Sequence, residues 1–289
     1  MKIWITGASG MLAQDLRALA SQAGHVCLGT DLDVDITDRV AVKNWLDTNS
    51  VDWVVNCAAY TAVDKAEADE DKAFAINATG PEILALETAA RHLPLIHIST
   101  DYVLNGAAPE PMNEGAALDP QNAYGRTKAK GEVRVQMLNP EHWIIRTAWL
   151  YGIHGNNFVK TMLRLMGERD QLRVVNDQWG SPTWTVDLCK AILQIISERK
   201  NPGVYHFSDE GCIHWCNFAQ EIQTQGLALG LLSRKALIEG VPSTEYPTPA
   251  KRPAWSVLDK SQIKTLGVVV PDWTVSLAAY LQLEVTARA

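Results

Sequence analysis

The sequence predicts an α/β fold built on a doubly wound parallel sheet, with a smaller C-terminal lobe. Three observations support this prediction. In the first half of the chain, short apolar runs rich in β-branched residues alternate with segments of helical periodicity. A glycine-rich turn follows the first of these runs directly. After Arg146 the alternation fades into a mixture of helices and loops.

The apolar runs of the first half are expected to be buried strands, and the segments between them helices. The strands are KIWIT, HVCLGT, DWVVNCA, PLIHIS and HWIIRTA, and the helices cover about 12–22, 38–49, 71–92 and 124–138. Such repetition gives parallel strands joined by right-handed crossovers. The last helix is delayed by the loop NGAAPEPMNEGAALDPQN, whose length marks it as a candidate active-site loop.

In the second half, one helix is expected in NNFVKTMLRLMGE and another in PTWTVDLCKAILQIISERK, with strands in LRVVN and GVYHFS. From Cys212 onward the pattern is a mixture of helix and loop, including a long proline-bearing segment. We therefore predict a dinucleotide-binding domain over 1–147 and about 170–210. A substrate-binding lobe over about 148–169 and 211–289 would close over the carboxyl edge of its sheet.

Composition and charge exclude several classes of protein. The chain has 289 residues, 47% of them hydrophobic and 20% charged, as in ordinary globular proteins. A net charge of −7 argues against a nucleic-acid partner. The N-terminus shows no signal-peptide pattern, and no apolar window approaches the roughly 18 residues of a membrane span. We expect a cytoplasmic protein without membrane partners.

The five cysteines are expected to be reduced thiols, since their number is odd and they are scattered. One local group contains possible metal ligands, namely Cys212, His214 and Cys216. Its spacing matches no zinc pattern. No metal site is predicted.

The turn GASGMLA after the first strand is typical of dinucleotide binding. Gly7 and Gly10 would permit a tight turn, so that backbone amides at the start of the helix, including Met11 and Leu12, approach a pyrophosphate. Ala13 stands where a third glycine is often found. The alternative interpretation is a plain strand–helix turn.

Other candidate cofactor contacts follow the second and third strands. Asp31 closes the second strand, where an acid accepts hydrogen bonds from the adenosine ribose. This acid favours NAD over NADP, because a 2′-phosphate would face like charge. Asp35 and Ile36 are candidates for contact with the adenine. The small side chains that follow the third strand would let the nicotinamide nucleotide pass, or simply pack tightly; the candidates there are Ala58, Ala59 and Tyr60.

A candidate catalytic set involves the fourth strand and the helix after the long loop. Tyr124 and Lys128 lie one helical turn apart on the same face, and the strand ends at Thr100. Such groups can polarise a carbonyl and deliver a proton while a nicotinamide supplies hydride. Free tyrosine has a pKa near 10, so acid–base work near neutrality needs a cation such as Lys128. Ser99 replaces Thr100 if the register differs by one residue.

With these residues in place, the chain resembles the extended short-chain dehydrogenase/reductase family, and within it the rhamnose reductases. The resemblance covers nearly the whole chain and is carried by GASGMLA, NCAAYTAVDKAE, ISTDYVLNG, AYGRTKAKGE, RTAWLYG, GNNFVKTML, VVNDQWGSPT and YPTPAKRPAWSVLD. It implies reduction of the C4 ketone of dTDP-4-dehydro-L-rhamnose to dTDP-L-rhamnose. The cofactor would be NADPH or NADH, and the enzyme a monomer or homodimer.

The resemblance also implies roles for individual residues. Tyr124 would protonate the sugar C4 oxygen, Lys128 would hold the nicotinamide ribose and lower the tyrosine pKa, and Thr100 would hydrogen-bond the carbonyl oxygen. The residues implied to contact the sugar nucleotide are Asp101, Tyr102, Trp149, Asn157 and Arg252. A core aromatic is the alternative for Trp149, and a surface cation for Arg252. Two positions depart from the family pattern, Ala13 and Trp255.

Several other functions remain open from the sequence. A sugar 4-epimerase would use the same Thr–Tyr–Lys set with a tightly held NAD, and another 4-ketoreductase would differ only in its sugar. A dTDP-glucose dehydratase is disfavoured, because that family has an Asp-Glu pair after the threonine whereas Asp101 is followed here by Tyr102. A non-enzymatic alternative is a regulatory module resembling the β subunit of methionine adenosyltransferase.

Overall fold

The computed structural model describes residues 1–107 and 109–288. Its strands are β1 (Lys2–Thr6), β2 (Val26–Thr30), β3 (Trp53–Asn56), β4 (Leu95–Thr100), β5 (His142–Thr147), β6 (Leu150–Tyr151), β7 (Gln171–Val175), β8 (Trp179–Gly180), β9 (Thr183–Trp184), β10 (Gly203–His206), β11 (Ile213–His214) and β12 (Leu237–Val241). Ala108 of the predicted long loop and Ala289 at the end of the predicted lobe lie outside the described residues.

The helices are α1 (Met11–Gln22), α2 (Arg39–Thr48), α3 (Val63–Ala66), α4 (Glu70–Phe74), α5 (Gly80–Ala89), α6 (Ala123–Leu138), α7 (Phe158–Glu168), α8 (Thr185–Glu198), α9 (Trp215–Ala228), α10 (Ser261–Lys264) and α11 (Trp273–Arg288). A π-helical turn, Ala75–Thr79, joins α4 to α5, so the single predicted helix over 71–92 contains a wider turn. Two short 3₁₀ turns cover Asp101–Val103 and Ser243–Glu245. Within the described residues, no helix is long and apolar enough to cross a membrane.

The predicted α/β fold with a parallel sheet is confirmed. Six parallel strands form the central sheet in the order β10-β5-β4-β3-β1-β2. The chain runs outward in opposite directions from β1 and β3, which makes the space between them the topological switch point. In doubly wound sheets, ligands bind outside the carboxyl ends of the strands at this point.

Both faces of the sheet are covered, and the alternation of side chains along each strand determines what they contact. In β1, Ile3 and Ile5 belong to the apolar cluster that includes α1 and α8, whereas Trp4 belongs to the cluster that includes α2 and α5. Burial on both faces explains why the strand sequences are continuously apolar.

A separate apolar cluster lies in the C-terminal half, where α7, α9 and α11 pack around the parallel pair β7–β12. It includes Tyr151, whose ring contacts those of Phe218 and Tyr280 edge to face. This cluster is consistent with a second lobe. The exact division into two domains stays a prediction.

Helix α6 approaches its neighbours closely at a glycine. A Cβ at Gly131 would lie 2.1 Å from the carbonyl oxygen of Asn77 in the π-helical turn. We expect Gly131→Ala to lower the free energy of unfolding by about 1–3 kcal/mol or more, because a backbone atom cannot move aside cheaply. Denaturant unfolding monitored by circular dichroism measures this loss.

The matched control is Gly167→Ala, also in a helix, where an added Cβ meets no described atom within 4 Å. This variant should gain up to about 1 kcal/mol, since alanine has the higher helix propensity. Equal effects of the two substitutions would contradict the close contact of α6 with the π-helical turn.

Candidate active site

The loops after β1 and β3 touch at the switch point. Gly7 has φ of +64°, and a Cβ there would lie 2.7 Å from the backbone nitrogen and Cα of Ala58. Both the left-handed conformation and the contact require glycine. Gly10, which has no side chain to cap the helix, precedes α1 and donates its N–H to the carbonyl of Gly7 at 2.9 Å. The first amides of α1 therefore suit an anionic group such as a pyrophosphate.

Asp31 lies beside this turn, as the sequence predicts. Its carboxylate accepts a hydrogen bond from the backbone N–H of Ser9 at 3.0 Å. Asp35 instead accepts two hydrogen bonds from Thr37, both 2.8 Å long, within its own turn. Ile36 is buried in the core, where it contacts Gly80. The structure therefore brings Asp31 to the turn, and the adenine contacts of Asp35 and Ile36 stay predictions.

The loop after β3 is attached to the π-helical turn by Asn77, which the sequence interpretation missed. The Asn77 side chain accepts from the Tyr60 backbone N–H at 2.8 Å and donates to the Tyr60 carbonyl at 3.1 Å. It also donates to the hydroxyl of Thr127 on α6 at 3.1 Å. A polar residue inside an otherwise apolar helix was the available signal. This contact joins the predicted cofactor loop to the helix of Tyr124.

Tyr124 is buried near the end of β4. Its ring packs edge to face against Tyr102, with 5.6 Å between centroids. Burial raises the pKa of the Tyr124 hydroxyl above 10, and the charges of Asp101 and Tyr102 add to this rise, while an interaction with Thr100 opposes it. The sequence predicts that Lys128 lowers this pKa, but in the structure the pKa is raised, because burial dominates.

Thr100 and Asp101 are both buried at the end of β4. The Thr100 hydroxyl donates to Asp101 Oδ1 at 2.9 Å and accepts from the Tyr102 backbone N–H at 3.3 Å. Burial also raises the pKa of Asp101 to about 6. Ser99 points to the opposite face of the sheet from Thr100, since side chains alternate along a strand. The geometry therefore favours Thr100 over Ser99 as the partner of Tyr124.

Lys128, on α6, is almost completely buried, and its side chain reaches β4. Its ammonium group donates to the Ile98 carbonyl at 2.6 Å and lies 3.5 Å from Nε2 of His97. Burial lowers the pKa of Lys128 to about 8, although the nearby Glu132 carboxylate acts in the other direction. This amine changes charge close to neutral pH.

Arg252, from the C-terminal segment, reaches the same region. Its guanidinium donates to the Tyr102 hydroxyl at 3.1 Å and to the Asp64 carboxylate at 3.0 Å. Arg252 is thus linked to Tyr124 through Tyr102, whose hydroxyl accepts from Arg252 and whose ring packs against Tyr124. Asp64 lies in the motif TAVDKAE, but the sequence alone did not single it out.

Trp149 stacks on Trp215 with 3.6 Å between ring centroids, and its φ of +48° is unusual for a bulky residue. Asn157 begins α7 as its cap, donates to the Gly152 carbonyl at 2.7 Å and lies 3.9 Å from the sulfur of Met11. Asn157 therefore lies beside the glycine-rich turn, and its contact with the sugar stays a prediction.

Two further sequence features have structural roles. Trp255 donates its indole N–H to the Glu110 carbonyl at 2.8 Å, which attaches the C-terminal segment to the long loop. In the group that contains Cys212, His214 accepts from the Asn217 N–H as the cap of α9, and Cys216 is buried in the core. Over residues 1–107 and 109–288, no group of three or more His, Cys, Asp or Glu side chains is arranged to hold a metal ion.

Comparisons with known proteins agree with this geometry. The model of the family described as "RmlD substrate binding domain" matches residues 1–285. The chain is 39% identical to dTDP-4-dehydrorhamnose reductase of Aggregatibacter actinomycetemcomitans over 96% of its length and 97% of that protein's. It is also 39% identical to dTDP-4-keto-6-deoxy-D-glucose reductase of Streptomyces niveus, over 94% of each chain.

Among solved structures, dTDP-4-dehydrorhamnose reductase of Bacillus anthracis in complex with NADP superposes with a TM-score of 0.93. The two sequences are 35% identical, and the match covers 98% of this chain and 99% of that one. The resemblance predicted from the motifs is confirmed. The chain belongs to the RmlD substrate binding domain family, together with the dTDP-4-dehydrorhamnose reductases.

Proposed function

We propose that the protein is an oxidoreductase that uses NADPH or NADH to reduce the C4 ketone of dTDP-4-dehydro-L-rhamnose, giving dTDP-L-rhamnose. The observation that carries the proposal is the buried Tyr124, whose ring packs against Tyr102 just after Thr100, at the carboxyl end of the sheet. Lys128 lies one turn along the same helix. The names of the relatives support the dTDP-linked keto sugar as substrate.

The nicotinamide, when bound, supplies a hydride to C4 of the sugar. Tyr124 would then give its proton to the C4 oxygen, and the ammonium group of Lys128 would stabilise the resulting phenolate. The Thr100 hydroxyl, directed at Asp101 in the structure, would turn to the carbonyl oxygen. Burial raises the pKa of Tyr124, which makes its proton harder to remove. We therefore infer that bound substrate and cofactor place the Lys128 ammonium group where it lowers this pKa.

The cofactor would lie across the switch point. The α1 amides behind Gly7 and Gly10 would face the pyrophosphate, and Asp31 would accept from the adenosine ribose. Lys128 would hold the nicotinamide ribose. Asp31 favours NADH, whereas the Bacillus anthracis relative was solved with NADP, so we keep both cofactors in the proposal.

The sugar nucleotide would lie between the sheet and the C-terminal lobe. Arg252 offers a guanidinium for the diphosphate, and binding there would compete with its present partner, Asp64. Asp101, Tyr102 and Trp149 would line the sugar site. We propose the lobe boundaries predicted from the sequence as the limits of this substrate-binding region.

Direct turnover tests the proposal. The purified protein is offered dTDP-4-dehydro-L-rhamnose or dTDP-4-keto-6-deoxy-D-glucose, each with NADH or NADPH, and absorbance at the nicotinamide band is followed while NMR identifies the product. We expect net cofactor consumption and dTDP-L-rhamnose. Preference for the glucose-derived ketone would assign the other 4-ketoreductase function. Epimerisation without cofactor consumption, or binding without turnover, would overturn the reductase.

The activity should depend on the charge of Lys128. Because the pKa of Lys128 is about 8, the ammonium form prevails below that pH and is lost above it. We expect kcat/KM to fall about tenfold per pH unit above pH 8, since a neutral amine cannot stabilise the phenolate. Initial rates across pH 6–10 in buffers of constant ionic strength measure this decline. A flat profile to pH 10 would show that Lys128 stays charged or is not needed.

A further inference from the structure

A buried chain of hydrogen bonds leads across the sheet to Lys128. Its members lie on three adjacent strands. Thr6 ends β1, Asn56 ends β3 and His97 lies within β4, and all three are buried. The Thr6 hydroxyl donates to Asn56 Oδ1 at 2.7 Å, and Asn56 Nδ2 lies 3.0 Å from His97 Nδ1. On the other side of the ring, His97 Nε2 lies 3.5 Å from Lys128 Nζ.

The orientation of the Asn56 amide is determined by a group that can only donate. The backbone N–H of Ala58 donates to Asn56 Oδ1 at 3.1 Å, so the amide NH₂ must face His97. Since an amide nitrogen only donates, His97 Nδ1 must accept. The proton of the neutral imidazole therefore lies on Nε2, directed at Lys128.

An N–H directed at an amine distinguishes the two charge states of that amine. A neutral amine has a lone pair and can accept the bond, whereas an ammonium group has only hydrogens to offer. Burial and the charge of Lys128 also lower the pKa of His97 well below 6.5, so the imidazole stays neutral. The Cys57 thiol near Lys128 is uncharged too, because burial raises its pKa to about 12. The charged Glu132, on α6, acts in the opposite direction, because its carboxylate favours the ammonium form of Lys128.

We propose that His97, fixed as its Nε2–H tautomer by Asn56, is a positioning residue that favours the uncharged form of Lys128 and so sets the pH at which this amine loses its proton. The part of this proposal that concerns catalysis rests on the function proposed for Lys128. The tautomer of His97 and the titration of the Lys128 amine are independent of that function.

The first test needs no catalysis. In protein with ¹⁵N-labelled histidine, long-range ¹H–¹⁵N correlation at pH 7 should show His97 neutral and protonated at Nε2, with its signals assigned by their loss in His97→Leu. In Asn56→Asp, the carboxylate accepts from Nδ1–H, so the proton should move to Nδ1. An Nδ1–H tautomer or an imidazolium in the original protein would overturn the proposal.

The second test follows Lys128 itself, through its ¹³Cε signal in lysine-labelled protein, assigned with Lys128→Met. We expect the midpoint of its titration to rise by about half to one pH unit in His97→Leu, the scale of one hydrogen bond. Asn56→Asp should raise it as well, because Nε2 becomes an acceptor for the ammonium group. Ile96→Ala, a core truncation in the same strand, is the control for lost stability and should leave the midpoint in place.

The alkaline decline of kcat/KM should move with that midpoint in both variants. An unchanged Lys128 titration in both His97→Leu and Asn56→Asp would overturn the proposal even if the tautomer is as expected. If the titration moves as expected but no sugar nucleotide is reduced, the proposed function fails while the tuning of Lys128 stands.

Discussion

Replacing Tyr124 by phenylalanine is expected to lower kcat by about 10²–10⁴-fold, the usual contribution of a general acid. The variant loses only the hydroxyl, so the ring contact with Tyr102 and the packing of α6 should persist. Cofactor and sugar-nucleotide affinities should therefore stay near their original values. Steady-state kinetics with the keto sugar nucleotide, together with calorimetric binding of NADPH and of dTDP, separate the two effects.

Tyr205→Phe is the matched control. The Tyr205 hydroxyl donates to the Asn201 carbonyl near the edge strand β10. The substitution therefore removes a tyrosine hydroxyl from the same sheet, at a position away from the candidate active site. This variant should keep its kcat. Near-normal turnover by Tyr124→Phe would remove Tyr124 from the mechanism, and a common loss in both variants would indicate a general effect on stability.

Much of the sheet and of the cofactor edge could be predicted from the sequence, because local patterns determine them. The short apolar runs KIWIT and PLIHIS reflect burial of single strands on both faces, and β4 ends at Thr100 within one residue of the prediction. The glycine-rich turn was recognisable because a left-handed φ and a close contact both require Gly7. The helical spacing of Tyr124 and Lys128 likewise follows from local geometry.

Features that depend on partners distant in the chain were missed or misplaced. His97 and Asn56 are 41 positions apart and meet only when β3 and β4 pair, so neither could be linked to Lys128 beforehand. The packing of the Ile36 side chain beside Gly80 likewise joins positions 44 apart, while its predicted contact with the adenine stays a prediction. The raised pKa of Tyr124 arises from burial, which sequence spacing cannot measure.

The largest expected loss of stability is at Arg146, which is buried between α6 and the sheet. Its guanidinium pairs with Glu132, with a closest approach of 2.8 Å, and the two side chains are only 3% and 0% exposed. It also lies 3.2 Å from His206 Nε2 and donates to the carbonyl of Glu114 in the long loop. Burial and the charge of Arg146 lower the pKa of His206 to about 3, so that imidazole is neutral and can accept.

We expect Arg146→Met to lower the free energy of unfolding by about 3–5 kcal/mol, because Glu132 would remain buried without its counter-charge. The double variant Arg146→Met, Glu132→Leu should recover much of that loss, since a buried ion pair replaced by apolar groups of similar volume is often neutral. Urea unfolding of the original protein, both single variants and the double variant forms the thermodynamic cycle. Additive losses in the double variant would contradict a coupled pair.

The same cycle also separates stability from the chemistry of the site. Glu132 raises the pKa of Lys128, so its removal in the double variant should move the Lys128 titration to lower pH. Removing the His97 imidazole should move it to higher pH. Stability falls in Arg146→Met and is largely restored in the double variant, whereas the Lys128 midpoint should be lower in the double variant than in the original protein. A midpoint that merely followed stability would show that folding, and not the two neighbouring side chains, sets the charge of Lys128.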